Sequence, residues 1–135
     1  MRSMMTSQGG PHARFKRALA SGCPLVATAA ALELPRVRLE DALALVLLYH
    51  RAGDRRFERA ALRFHARLCA ETPAITLAAG AGALQALAIL ARGDASRATA
   101  MLAEILDAHG AHQLVDALNE QAPEARRQPA AQRGR

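Results

Sequence analysis

An all-α fold of about seven short helices, stacked as antiparallel hairpins, follows from three features of the chain. First, Gly53-Asp54 and Gly93-Asp94 each separate two segments of helical periodicity, LVLLYHRAGDRRFERAALRF and QALAILARGDASRATAMLAEIL. Glycine accepts the left-handed conformation that ends a helix, and aspartate caps the start of the next one, so each pair predicts the tight turn of a helical hairpin. Second, alanine and leucine dominate, and Phe15, Tyr49, Phe57 and Phe64 are the only aromatic residues. A sandwich or barrel would need many more aromatic and β-branched residues. Third, the connections are short, which makes successive helices antiparallel neighbours.

The elements follow in order. Residues 1–11 (MRSMMTSQGGP) and 123–135 (PEARRQPAAQRGR) have the composition of disordered ends, leaving 12–122 as a single helical domain. At this size a chain buries roughly two thirds of its unfolded surface. A first helix over about 12–21 ends at Gly22, and a second starts near Pro24, a favoured first-turn residue, and stops before Pro35. The third, about 39–52, opens with Glu40 and Asp41 where the helix dipole favours acids. Its interior, Leu43, Leu45, Val46, Leu47, Leu48 and Tyr49, is apolar nearly all round, which predicts a central buried helix.

The fourth helix, about 55–71, carries Phe57, Ala61, Phe64 and Leu68 as one stripe at spacings of four, three and four. The fifth, about 77–92, sets Leu84, Leu87 and Leu90 on one side, while Gly80 and Gly82 allow a close neighbour. It lies in the longest charge-free stretch, Thr72 to Ala91, whose Ala and Gly content predicts a buried helix rather than a membrane span. The sixth, about 95–108, has Ala98, Met101, Leu102, Ile105 and His109 as its expected buried stripe, and the seventh, about 111–121, turns Leu114, Val115 and Leu118 inward.

Arginine outnumbers lysine seventeen to one, the bias of a GC-rich genome. The runs LEDALAL and RFERAALRFHARLC lie within residues 14–71, and this stretch resembles a group of small uncharacterised all-helical proteins of high-GC bacteria. The resemblance covers under half the chain; it implies a helical first half and transfers no activity, ligand or catalytic residue. Gly93-Asp94-Ala95-Ser96-Arg97-Ala98 is similar to the turn of a tetratricopeptide repeat, without the fuller repeat signature, so the layout is repeat-like.

The formal net charge of +6 is unevenly placed: residues 12–71 carry eleven basic and six acidic side chains, and 72–121 carry two basic and five acidic. The terminal stretch adds Arg126, Arg127, Arg133 and Arg135 against one acid. The fourth helix concentrates the positive charge. Arg56, Arg59, Arg63 and Arg67, spaced three, four and four, form a face opposite Phe57 and Phe64, with Arg55 beside it. Such a face can meet an acidic protein surface or successive phosphates, and these five arginines are the candidate partner-binding residues. The alternative is the solvated side of an amphipathic helix.

Other chemistry is thin. Cys23 and Cys69 lack the spacing of a disulfide framework or a zinc site and are expected as free buried thiols. His65 and Cys69 stand four apart, with His50 on the preceding helix as a conceivable third ligand. A Cys–His dyad would further need an exposed low-pKa thiolate and an oxyanion hole. His109 and His112 flank Gly110 at a helix end, the place of a cap, and Glu40 and Asp41 are adjacent and diverge. Gly80-Ala81-Gly82 follows no strand and lacks a phosphate-loop lysine. No catalytic set, metal site or cofactor site assembles, so a non-enzyme is expected. The expectation is a cytoplasmic interaction or adaptor module that binds another protein or itself, with a nonspecific nucleic-acid-associated accessory as the second reading. No membrane segment is expected.

Overall fold

The computed structural model describes residues 9–122, and among them are seven helices and no strand. They are α1 (Pro11–Ser21), α2 (Pro24–Leu32), α3 (Leu39–Arg51), α4 (Phe57–Glu71), α5 (Leu77–Ala91), α6 (Ala95–Ala108) and α7 (His112–Gln121). The disorder expected for 1–8 and 123–135 lies outside the described residues. Pro11 opens α1 one residue ahead of the expected start, and Pro24 opens α2.

Both Gly-Asp pairs end their helices in the same way. Gly53 has φ +63° and donates its N–H to the His50 carbonyl, while the Asp54 N–H reaches the Tyr49 carbonyl at 2.9 Å. Gly93 has φ +98° and donates to the Leu90 carbonyl, while the Asp94 N–H reaches Ile89. This crossed pair of bonds is the Schellman ending, and its left-handed position is why glycine stands there. Asp94 then caps α6, its carboxylate accepting the Arg97 N–H. Asp54 instead accepts the Arg56 N–H at 2.8 Å, an Asx turn that holds residues 54–56 ahead of α4.

The helices form two packed units that share α3. The first is a closed ring: α3 packs on α4, α4 on α5, α5 on α6, α6 on α7, and α7 returns to α3. Its core holds Leu43, Val46 and Leu47 of α3, Phe64 and Leu68 of α4, Leu87, Ile89 and Leu90 of α5, Leu102 and Leu106 of α6, and Leu114 and Leu118 of α7. The second unit is the α1–α2 hairpin, which lays Phe15, Ala18, Leu19, Ala27 and Ala31 against Ala44 and Leu48 on another side of α3. Burial on two sides explains why α3 is apolar nearly all round. Its polar groups are tied down at the edges. The Tyr49 hydroxyl bonds the Thr28 hydroxyl of α2, and the Asp41 carboxylate accepts the Arg38 N–H at 3.2 Å and faces His12 of α1 at 3.3 Å.

Two contacts distant in sequence hold the end of α7, one to α3 within the ring and one to α1 outside it. Arg51, at the end of α3, donates to the Gln121 carbonyl at 2.8 Å, and Lys16 of α1 pairs with Glu120 at 3.1 Å. A cation against the last carbonyls of α7 also complements its dipole.

Several expected faces are rotated. The buried stripe of α6 is Ala98, Thr99, Leu102, Ala103 and Leu106, with Met101, Ile105 and His109 half-buried at its side. Alpha6 lies between α5 and α7, so its small residues face the core. Leu84 is exposed, and Ala83, Ala86 and Ile89 join Leu87 and Leu90 inside. Alpha7 keeps its expected face, with Leu114 and Leu118 buried and Val115 half-buried against the core. Cys69 is exposed and Cys23 half-buried, because Leu68 takes the inward place on its turn of α4 and Cys23 sits at the N-cap of α2. Among the described residues no helix is long and apolar enough to cross a membrane.

Candidate functional site

The arginine face divides once the side chains are placed. Alpha4 begins at Phe57, so Arg55 and Arg56 belong to the preceding turn rather than to the helix. Arg56 folds back on Asp54 at 2.9 Å, and Arg67 is engaged by Glu71 one turn on, at 2.7 Å. Two of the five arginines are therefore locally neutralised. Arg55 is exposed beside Asp54. Arg59 and Arg63 are exposed, one turn apart, and have no ion-pair or hydrogen-bond partner among the described residues.

These pairings shift the two acids. The Arg56 amide first, and then its guanidinium, hold the Asp54 carboxyl below its usual value, and the Arg67 guanidinium does the same for Glu71. A carboxyl whose pKa is depressed by folding stabilises the fold above its unfolded value, about 4 for these groups, and the contribution disappears as pH falls through the folded value. Melting temperature should therefore drop as pH falls from about 5 toward 2, and the double variant Asp54→Asn/Glu71→Gln should have a shallower acid limb. An unchanged limb in thermal melts across that range would show that neither carboxylate matters. Both pairs are exposed, so the effect is small.

An apolar strip runs beside the free arginines. Leu62 and Leu84 are exposed on the two rims of a shallow groove of about 120 Å³ between α4 and α5, with Phe57, Ala61, Leu87 and Ala91 among its lining. Leu62 follows Arg59 by three residues and precedes Arg63 directly, so cation and apolar side chain share one side of the helix. Periodicity alone does not separate this strip, because it sets Leu84 on one side with Leu87 and Leu90; the signal is Leu62, an apolar residue outside the Phe57–Leu68 stripe.

His65 and Cys69 do meet, but with their chemistry committed elsewhere. The His65 Nε2 lies 2.8 Å from the Gly80 carbonyl, and only a protonated nitrogen can bond a carbonyl oxygen. The same nitrogen is 3.7 Å from the Cys69 Sγ and so is not available to accept the thiol proton. The contact serves packing. A Cβ on Gly80 would stand 3.3 Å from that sulfur, so glycine lets α5 approach α4 here. His50 lies elsewhere, tilted against the Phe57 ring at 5.4 Å. No group of three His, Cys, Asp or Glu side chains positioned to hold a metal occurs among the described residues. His109 caps α6 through its Nδ1, which donates to the Ile105 carbonyl at 3.0 Å.

No family model, no curated protein and no solved structure matches this chain.

Proposed function

We propose that this protein is a cytoplasmic interaction or adaptor module that receives an amphipathic, acid-flanked segment of another protein along α4. One observation carries the reading: Arg59 and Arg63 stand exposed and unpaired among the described residues, directly beside the exposed rim leucines Leu62 and Leu84. An amphipathic helix seated in a groove uses this combination, with apolar anchors for affinity and rim charges for orientation and rate. No catalytic step enters the reading.

The test is capture from the native host with the tagged protein, with and without nuclease. Arg59→Ala/Arg63→Ala should weaken capture about tenfold while the melting temperature stays within a few degrees, since exposed substitutions cost little. Arg67→Ala, whose guanidinium is already engaged by Glu71, should change capture much less. Undiminished capture by the double variant would rule out this face. Loss of the captured material on nuclease treatment, with steep salt dependence, would replace the reading with nonspecific nucleic-acid association.

A further inference from the structure

The helix α2 is inside out. Its alanines Ala27 and Ala31 are buried, while Leu25 is 66% exposed, Val26 50% and Leu32 83%. Leu25, Ala29 and Leu32, spaced four and three, form one outward stripe with Val26 at its edge. A groove of about 410 Å³ between α1 and α2 borders it, lined by Val26, Ala29 and Ala30 and rimmed by Arg14, Arg17 and Glu33. Half of the exposed large hydrophobic residues among those described lie on this one nine-residue helix. A contiguous apolar face of this kind marks a surface that something covers.

We infer that the face is covered by a second copy of this chain, packed with α2 antiparallel to α2 about a two-fold axis. The stripe is self-complementary: with the axis beside Ala29, Leu25 of each copy meets Leu32 of the other, and the small residue at the centre permits close approach. The charges agree with that direction. Alpha2 has no acid in its first turn and no side-chain cap on its N-terminus, and Glu33 stands at its other end, held by Arg14 at 3.3 Å. Antiparallel pairing brings each Glu33 to the uncapped positive end of the opposite helix, whereas parallel pairing would place the two Glu33 carboxylates together. The rim carries both signs, so a strongly charged partner of either sign matches it less well than a second copy does. Nine residues span only about 13 Å, so the interface is smaller than the roughly 800 Å² per partner of a standard one, and the dimer is weak and concentration-dependent.

The experiment is analytical ultracentrifugation of the full chain from about 5 to 500 μM, with protein association in the micromolar range setting the window. The weight-average mass should rise from 14.4 kDa toward twice that value. Leu25→Ser/Leu32→Ser should stay at the monomer mass throughout, with an unchanged helical circular dichroism spectrum, because both side chains are already exposed. Glu33→Lys should weaken association about two- to fivefold. A monomer at every concentration overturns the proposal, as does a dimer that survives the double serine variant. Unchanged or tighter association of Glu33→Lys overturns the antiparallel arrangement. A chain that dimerises only after removal of residues 1–8 would show that its own N-terminal segment covers the face, which also overturns it.

Discussion

Phe64→Ala is expected to lower the unfolding free energy by about 3–5 kcal/mol, the range for a fully buried aromatic truncated to alanine. The ring has no exposed surface and belongs to the main core with Leu43, Leu68 and Leu87. Two losses add together there: the transfer free energy of the removed ring, and the void left behind. The void cannot close easily. Several of its core companions, Ala61, Ala83 and Ala86, are alanines with no side-chain reach to fill it, and helices closed into a ring resist moving inward. Domains of this size have only about 5–15 kcal/mol in total, so the variant should lose a large share of its stability. Urea titration read by circular dichroism measures it, and a loss below about 1 kcal/mol would contradict the packing described here. Phe57, in the same sequence stripe, is half-buried at the rim of the α4–α5 groove, and its truncation should cost clearly less.

That difference shows where sequence reasoning stops. Turns are local, so they were legible: Gly53-Asp54 and Gly93-Asp94 each carry the residue that the left-handed helix ending demands, and the helices between them follow from the spacing of apolar residues. Which side of a helix meets which neighbour is not local. The α6 stripe was misread because Thr99 and Ala103 are small and one is polar, yet the approach of α5 and α7 puts them inside. The return of α7 to α3 packs Leu114 and Leu118 into one core with Leu43 and Leu47 and bonds Arg51 to Gln121 at its edge, partners 70 residues apart with no sequence signature. The arginine face was legible as a spacing. Its division depends on the acids as well as the arginines: Asp54, the turn residue, takes Arg56, and Glu71, one helical turn on, takes Arg67. The exposed leucines of α2 were hidden for the opposite reason: an apolar stretch with no polar side gives no direction for burial.

Phe15→Ala should have a local consequence where Phe64→Ala has a global one. Phe15 is fully buried and is the only aromatic ring in the second cluster, whose other members are Ala18, Leu19, Ala27, Ala31, Ala44 and Leu48. Without the ring this unit keeps little large apolar surface to hold the α1–α2 hairpin on α3. Polar ties such as Lys16 to Glu120, His12 to Asp41 and the Thr28–Tyr49 hydroxyl pair are exposed or single. Exposed ion pairs are worth about 0–1 kcal/mol each and cannot replace a ring whose truncation costs about 3–5. The ring of α3 to α7 keeps its own core, because Leu43, Val46 and Leu47 face the other cluster. Hydrogen exchange should therefore show α1 and α2 losing most of their protection while α4, α5 and α6 change little, the pattern of sub-global opening. Phe64→Ala should lower protection everywhere, since the hairpin packs on an α3 that the ring holds in place. Equal loss across all seven helices in Phe15→Ala would mean that the two clusters unfold as one unit. Selective loss would make the hairpin a separable platform. The α2 face would then be withdrawn from self-association while the α4–α5 groove stayed formed, so Phe15→Ala would separate the two surfaces.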